Sequence, residues 1–358
     1  MNWKERAAEL TLRVRETRAR LSSAEEELRS AREHLAALRR EAPAVGVTRE
    51  AFTQRRHTLS ARREAQLDAG REERLLQASP RYRAALEADP EGLSAVAHRI
   101  TLDGLAWWFP ITGEPSVHQA WIDKQCLPYH GILRTRDLAL GGIMLDLGAN
   151  VGRMAIPRVI LGDVMAAYCA EPDPVTFACL TKNVVENGMR GLVLPDQTAL
   201  GDRDGTVRLL RAGTSGGFRV VPDSSANTVE VPCSTLDTWV ERLGIDLEAV
   251  TFIKVDVEGY ERRLVAGACR VLERRHIAWQ MEIKPAGLRA VGDSPQALYD
   301  ALEPAFTHFI DLNRRATGAL VRAIAELPAA LSYIEPDGKT DVLLFSAGGA
   351  LTPPHTEP

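Results

Sequence analysis

An acidic residue followed by closely spaced glycines stands directly after a short apolar run, in the segment DLGANVG from Asp146 to Gly152. Glycines in a turn between a parallel strand and a helix let the backbone approach a nucleoside ligand, because no Cβ intervenes. A dinucleotide site prefers G-x-G-x-x-G, with pyrophosphate at the helix N-terminus. Here an acid opens the turn instead, where it would repel phosphate but could pair with a cation. The turn therefore favours the ammonium end of S-adenosylmethionine; the alternative is a tight turn with a capping aspartate.

A second acid follows the next predicted strand, in the segment Glu171-Pro172-Asp173-Pro174. A carboxylate at the tip of the strand beside the glycine turn can accept hydrogen bonds from two ribose hydroxyls. The two prolines pre-set the turn and start the next helix, since proline fits the first helical turn. The alternative, a helix-capping role, suits Asp173 better than Glu171. Two separate parts of a nucleoside site support this interpretation more strongly than either part alone.

Charged residues alternate along two later apolar runs, FIKVDVEG and QMEIK. Period two places Lys254 and Asp256 on one face of a strand with Glu258 at its mouth, and we expect Lys254 to pair with Glu282 on the neighbouring strand. Charges in a buried strand are costly unless paired, so they usually mark a site. Asp256 or Glu258 is the candidate general base, held or neutralised by Lys254 and Glu282. One alternative is a structural ion-pair network, and another is a set of carboxylates that hold Mg²⁺.

The elements that must position these residues alternate from about residue 142 onward. We predict strands at Ile143–Leu147, Met165–Ala170, Leu192–Pro195, Phe252–Val257, Ile277–Ile283, Thr307–Leu312 and Asp341–Ser346. We predict helices at Gly152–Leu161, Val175–Asn187, Thr235–Arg242, Gly259–Glu273 and Ser294–Glu303. Continuous apolar strands separated by helices indicate an α/β fold with a parallel sheet covered on both faces. Extended runs at Thr206–Arg211 and Asn227–Val231 predict a β insertion after the third strand.

The first 80 residues follow a different pattern. Heptad spacing from Trp3 to Leu38 predicts a coiled coil, and a second helix follows from Thr48 to about Ala78. The seam is weak, so the helix needs a partner, either the second helix in an antiparallel hairpin or a second subunit. We predict self-association through this region.

Aromatic residues without a clear period follow the helical region. Trp107, Trp108, Phe109 and Trp121 stand among prolines and glycines. We predict a packed collar in which these rings serve as core or lid, and they could also border a pocket.

Composition excludes several classes of protein. Hydrophobic residues make up 45% of the chain and charged residues 26%, which is ordinary for a globular protein and not for a disordered or disulfide-scaffold one. The net charge of −4 gives no field that would attract nucleic acid or an anionic membrane. No apolar run is long enough for a membrane span, and we expect a cytoplasmic protein.

The quoted segments, together with TALGDRDG, STLDTWV and above all FIKVDVEGYERRLVAGA, resemble the FkbM-type family of S-adenosylmethionine-dependent methyltransferases. The resemblance covers roughly Gly131–Ser346. It implies a class I methyltransferase fold, Rossmann-like, with seven strands of which the last is antiparallel. By position, Asp146, Gly148, Ala149, Asn150 and Gly152 would line the methionine moiety, Glu171 and Pro172 the ribose, and Gln197 and Thr198 the adenine. Family members often have a histidine after the glutamate in the segment that reads Glu282-Ile283-Lys284 here, which leaves the catalytic partner open.

These observations predict four segments and one reaction. The segments are a helical coiled-coil region (1–80), a helical and aromatic collar (81–130), a class I methyltransferase domain (131–346) and a flexible tail (347–358). The resemblance implies methyl transfer to a hydroxyl oxygen of a sugar or natural-product-type small molecule. Two rival functions are a nicotinamide-dependent oxidoreductase and a catalytically silent assembly protein built on the coiled coil.

Overall fold

The structure, a computed structural model, describes residues 69–88, 90–102, 105–111, 135, 142–211, 219–221, 228–313 and 321–346. The predicted coiled coil, the second helix as far as residue 68, Trp121 and the C-terminal tail lie outside these residues. Within them, no helix has both the length and the apolar character needed to cross a membrane.

Three short helices and a β-hairpin precede the main sheet. They are α1 (Ala69–Ala78), α2 (Pro80–Glu87), α3 (Pro90–Ser94), β1 (Ala97–Leu102) and β2 (Leu105–Pro110). The end of α1 agrees with the helix end predicted at Ala78. The hairpin was not predicted, because β2 is buried at all six positions and therefore lacks the alternation that marks a strand. Trp107, Trp108 and Phe109 belong to this strand and are core residues, as expected.

The main sheet follows as alternating strands and helices. Its strands are β3 (Ile143–Leu147), β4 (Ala166–Ala170), β5 (Val193–Asp196), β10 (Val250–Val255), β11 (Ala278–Ile283), β12 (His308–Asp311), β13 (Arg322–Ala323) and β14 (Thr340–Phe345). The helices are α4 (Ala155–Leu161), α5 (Pro174–Glu186), α6 (Leu236–Arg242), α7 (Glu261–Ala266), α8 (Cys269–Leu272), α9 (Pro285–Ala290), α10 (Pro295–Leu302) and α11 (Leu327–Ala330). Each of the seven predicted strands is present, with ends shifted by at most two residues.

The strand order is β13-β12-β14-β11-β10-β3-β4-β5. Strands β5, β4, β3, β10 and β11 are parallel, and β14 is antiparallel to β11. Without the short edge strand β13, this is the class I methyltransferase order, with its first strand in the middle of the sheet and its last strand antiparallel. The carboxyl ends of the parallel strands lie at one edge, where open α/β sheets bind ligands.

A smaller sheet is inserted after β5, as predicted. It contains β6 (Ala199–Gly201), β7 (Gly205–Leu210), β8 (Arg219–Val221) and β9 (Thr228–Thr235), in the order β6-β9-β7-β8.

The helix predicted over Gly259–Glu273 is wrong as a single element. It divides at Gly267 into α7 and α8. A Cβ on Gly267 would lie 2.1 Å from the carbonyl oxygen of Gly201, so this glycine allows the chain to cross against β6. At the break the Gly267 N–H donates to the carbonyl oxygens of Arg263 and Leu264 at 3.1 and 3.0 Å, and the Ala268 N–H donates to that of Val265 at 3.2 Å.

Candidate active site

The glycine turn lies at the carboxyl end of β3. Gly148, Asn150 and Gly152 have φ angles of +82°, +52° and +87°. The N–H groups of Gly148 and Ala149 both donate to the carbonyl oxygen of Ala170, at the end of β4, at 3.0 Å. The turn is therefore fixed against the neighbouring strand, and its left-handed conformations explain why glycine is required at two of its positions.

The end of β10 lies against the same turn. The N–H of Asp256 donates to the carbonyl oxygen of Leu147 at 2.9 Å, which extends the β3–β10 pairing. A Cβ on Gly148 would lie 1.9 Å from the carbonyl oxygen of Asp256. Since β3 and β10 are neighbours in the sheet, the predicted cofactor turn and the predicted catalytic strand are brought together here.

Asp146 is buried below the turn, with 2% of its surface exposed. It lies beside Lys254 in the β3–β10 register. Burial raises the pKa of Asp146 to about 6, although the positive charge of Lys254 acts to lower it. Among the described residues its Oδ2 atom has no hydrogen-bond partner. A buried acceptor without a donor is costly, so this atom fits a ligand that brings a cationic or N–H donor group.

Glu171 connects the two halves of the predicted nucleoside site. Its Oε2 accepts from the N–H of Asn150 at 2.9 Å, and its Oε1 accepts from the N–H of Asp173 at 3.0 Å. Each oxygen keeps a second lone pair for a ligand hydroxyl. Burial raises the pKa of Glu171 to about 8. The helix-capping role falls to Asp173, which accepts from Val175 and Thr176 at the start of α5.

The predicted adenine-side residues lie next to this acid. Gln197 donates from Nε2 to the carbonyl oxygen of Pro172 at 3.2 Å, across from Glu171. Thr198 is buried and donates from its hydroxyl to the carbonyl oxygen of Ala199 at 3.1 Å. The Gln197 side chain is thus at the rim of the site, whereas the Thr198 hydroxyl is used within its own segment.

The catalytic candidates form a cluster of carboxylates and lysines at the ends of β10 and β11. Among the described residues Lys254 and Glu282 do not form the expected close ion pair, although the charge of Lys254 opposes the rise that burial causes in the pKa of Glu282. The Lys254 Nζ lies 3.1 Å from Asp256 Oδ2 and 3.8 Å from Asp341 Oδ1. Glu282 instead accepts from the Nζ of Lys339 at 2.8 Å. The antiparallel strand β14 causes this rearrangement, because it places Asp341 directly opposite Glu282.

Glu258 differs from Asp256 in its backbone conformation and in its burial. It is a non-glycine residue with φ of +51°, and its Oε2 lies 3.6 Å from the Nζ of Lys284. Burial, aided by the charges of Asp256 and Glu282, raises the pKa of Glu258 to about 7. Its side chain is 17% exposed, against 35% for Asp256. Glu258 is thus partly protonated at neutral pH while it still reaches solvent.

Single oxygens of Asp256, Glu258 and Glu282 lie within 4.8 Å of one another. Three carboxylates at this spacing could hold a divalent cation. Each of them also has a lysine nearby, namely Lys254, Lys284 and Lys339 respectively. The positive charges of these lysines offset the negative charges of the carboxylates, which a bound cation would otherwise neutralise.

Sequence reasoning missed several residues that shape the site. Glu261 is buried and accepts from the N–H of Gly259 at 3.0 Å. A Cβ on Gly259 would lie 2.3 Å from the carbonyl oxygen of Gly287, so the turn after β10 touches α9. Arg158 is fully buried on α4, lies 4.7 Å from the Phe252 ring centre, and its charge lowers the pKa of Asp146. The EGYE segment was the available signal for Glu261, whereas Arg158 had none.

The strand order and the turn after β3 define the class I methyltransferase fold. The family model described as the methyltransferase FkbM domain matches residues 146–311. The resemblance to the FkbM-type family is thereby confirmed over these residues, which make up a little less than half of the chain.

Individual relatives are more distant. The curated protein "31-O-demethyl-FK506 methyltransferase FkbM" of Streptomyces tacrolimicus is 28% identical, over 40% of this chain and 64% of its own length. The match therefore spans less than two thirds of that relative. The crystal structure of a methyltransferase FkbM from Methylobacillus flagellatus KT is 16% identical, with a TM-score of 0.35 over 57% of this chain and 44% of the other. M. jannaschii TYW2 in complex with AdoMet is 10% identical, with a TM-score of 0.32 over 70% and 84%.

Proposed function

We propose that this chain is an S-adenosylmethionine-dependent methyltransferase that acts on a hydroxyl oxygen of a sugar or natural-product-type small molecule. The contact between Asn150 and Glu171 carries the proposal, because it joins the turn that suits an ammonium group to the acid that suits a ribose. The curated relative is named as a methyltransferase of 31-O-demethyl-FK506, which supports an oxygen acceptor.

The residues present fit this cofactor. Asp146 and the backbone of the glycine turn would hold the amino-acid end, since the buried Oδ2 of Asp146 has no hydrogen-bond partner within the described part of the chain. Glu171 would accept from the ribose hydroxyls, and Gln197 would border the adenine. When bound, S-adenosylmethionine would supply a methyl group attached to a positively charged sulfur, and the sulfur is a good leaving group. The protein then has two tasks, to orient the acceptor oxygen and to remove its proton.

Glu258 is the better of the two candidate bases. A general base works best when its pKa is near the working pH, and the pKa of Glu258 is about 7. Asp256 is already paired with Lys254 at 3.1 Å and is more exposed. Asp256 and Glu282 then act through their negative charges, which keep the pKa of Glu258 high, while Lys284 lies beside its carboxylate.

Binding distinguishes this function from the nicotinamide alternative. A buried acid at the head of the turn would face the pyrophosphate of NAD and repel it. Calorimetry on the full chain should show tight binding of S-adenosylhomocysteine and no heat with NAD. The reverse result would overturn the proposal.

Turnover tests the reaction itself. A screen of hydroxylated small molecules with labelled S-adenosylmethionine should transfer label to an oxygen. Binding without transfer to any acceptor would favour the silent assembly protein. If EDTA abolished methyl transfer and Mg²⁺ restored it, a cation bound by the carboxylates, and not Glu258 as base, would activate the acceptor hydroxyl.

A further inference from the structure

The amide side chain of Asn183, on α5, bridges two segments that are far apart in the sequence. Its Oδ1 accepts from the N–H of Trp108, and its Nδ2 donates to the carbonyl oxygen of Trp108 at 3.0 Å. The same Nδ2 donates to the carbonyl oxygen of Val151 at 2.9 Å. Trp108 lies in the β1–β2 hairpin, and Val151 lies in the glycine turn. Asn183 is fully buried, so these bonds are shielded from water.

The hairpin needs such a partner because the outer edge of β2 has no neighbouring strand among the described residues. The two amides that face α5 are those of Ala106 and Trp108, two residues apart on the same edge. Asn187, one helical turn beyond Asn183, binds the N–H and the carbonyl oxygen of Ala106 at 2.9 and 2.7 Å. The two asparagine amides therefore take the place of an adjacent strand.

Apolar packing joins the same parts. Trp107 and Trp108 belong to the hydrophobic cluster that also contains Ala149, Val151 and Met154. The hairpin and the glycine turn thus share one hydrophobic cluster. The hairpin also lies before residue 146, where the match to the FkbM domain begins.

We propose that Asn183 is a positioning residue for the cofactor turn, and that through it the hairpin Ala97–Pro110 forms part of the cofactor site. The turn has three residues in left-handed conformations, so its carbonyl groups need fixed partners to hold one geometry. Asn183 supplies one at Val151. This inference rests on the proposed function, since it concerns the binding of the same nucleoside.

Asn187 offers a matched control. Each asparagine side chain makes three hydrogen bonds, two of them to β2, but the third side-chain bond of Asn187 goes to the carbonyl oxygen of Asn183 at 2.8 Å and not to the turn. Asn183→Leu and Asn187→Leu should therefore lower the thermal midpoint by similar amounts. At a temperature where both are folded, the Kd for S-adenosylhomocysteine should rise at least tenfold in Asn183→Leu and less than threefold in Asn187→Leu. Equal changes in the two variants would overturn the inference.

Hydrogen–deuterium exchange on the unmodified chain gives a second test that needs no variant. Saturation with S-adenosylhomocysteine should slow amide exchange in residues 105–110 as well as in 148–152. Protection of the turn with unchanged exchange in the hairpin would show that the two are not coupled. If the unmodified chain gave no binding heat at all, the proposed function would fail and the role of Asn183 with it. Tight binding with equal effects in the two variants would remove the role of Asn183 alone.

Discussion

Gly148 and Asp256 approach so closely that a Cβ on Gly148 would lie 1.9 Å from the Asp256 carbonyl oxygen. This contact joins the turn after β3 to the strand that carries the catalytic candidates. The closeness is possible because Gly148 has no side chain and a φ of +82°. A contact between two backbone segments therefore sets the spacing between the glycine turn and the catalytic candidates.

Gly148→Ala should weaken S-adenosylhomocysteine binding more than tenfold. The methyl group cannot fit unless the end of β10 moves away from the turn. Gly162→Ala is the matched control, since Gly162 has a φ of +71° but no atom within 4 Å of the added Cβ. It should show only the conformational penalty, about 1–2 kcal/mol, with unchanged affinity. Calorimetry and thermal unfolding of both variants measure this, and equal losses of affinity would contradict the steric explanation.

Glu171 should make nucleoside binding dependent on pH. Its pKa of about 8 means that it is mostly neutral at pH 7, whereas a ribose diol donates best to the ionised carboxylate. The Kd of 5′-methylthioadenosine should fall as pH rises from 6.5 to 9, by at most about tenfold per unit. This ligand lacks the amino-acid end, so Asp146 does not contribute. Glu171→Gln should bind more weakly at high pH with a flat profile. A variant that kept the unmodified slope would assign the titration to another group.

Glu258 should control the pH dependence of methyl transfer. The rate should rise as pH increases through about 7, because only the ionised carboxylate accepts a proton. Glu258→Gln should lower kcat roughly 10²- to 10⁴-fold and remove this rise. Asp256→Asn removes a negative charge that raises the pKa of Glu258, so its profile should move to lower pH. Full turnover in Glu258→Gln would exclude it as the base.

Glu261 should make the free energy of unfolding depend on pH. Burial raises its pKa from 4.5 to about 7, so the folded state binds the proton more tightly than the unfolded state does. Stability from this group is therefore complete below pH 4.5 and falls as pH rises to 7. The loss is at most about 3.5 kcal/mol, at roughly 1.4 kcal/mol per pKa unit.

Glu261→Gln removes this titration and keeps an oxygen for the Gly259 N–H. Urea unfolding at pH 5.5 and 8 should show the variant gaining stability relative to the unmodified chain at the higher pH. A difference between the two proteins that did not change with pH would show that Glu261 is ionised in the folded state.

The sequence predicted the main sheet because its strands are continuous apolar runs bounded by turn residues. β3 was predicted at its observed ends, and its five positions are all buried. The hairpin β1–β2 was missed for a related reason. A buried strand that is not flanked by helical patterns cannot be distinguished in sequence from another aromatic-rich segment. In β2 all six positions are buried, so its tryptophans do not alternate with polar residues as they would in a half-exposed strand.

The candidate site was predicted at the level of which residues lie at the strand ends. Asp146, Glu171, Asp256 and Glu258 all lie at the carboxyl edge of the parallel strands or just beyond it. Lys254 pairs with Asp256, as the expected role of Lys254 beside the candidate base implies. The partner of Glu282 was not predicted. Lys339 reaches Glu282 through a contact that spans 57 residues, which no local spacing reveals.

The local sequence pattern determined the positions of the turn, the ribose acid and the charged strand. In each case polar residues stand at the end of an apolar strand or directly after it. The tertiary structure decided which charges pair and what holds the turn in place. Asn183 and Trp108 are 75 residues apart, and they meet because α5 and β2 pack through a common apolar cluster. Contacts of that kind depend on how whole elements stack, and stacking is settled by the packing of the folded chain, which local residue spacing does not encode.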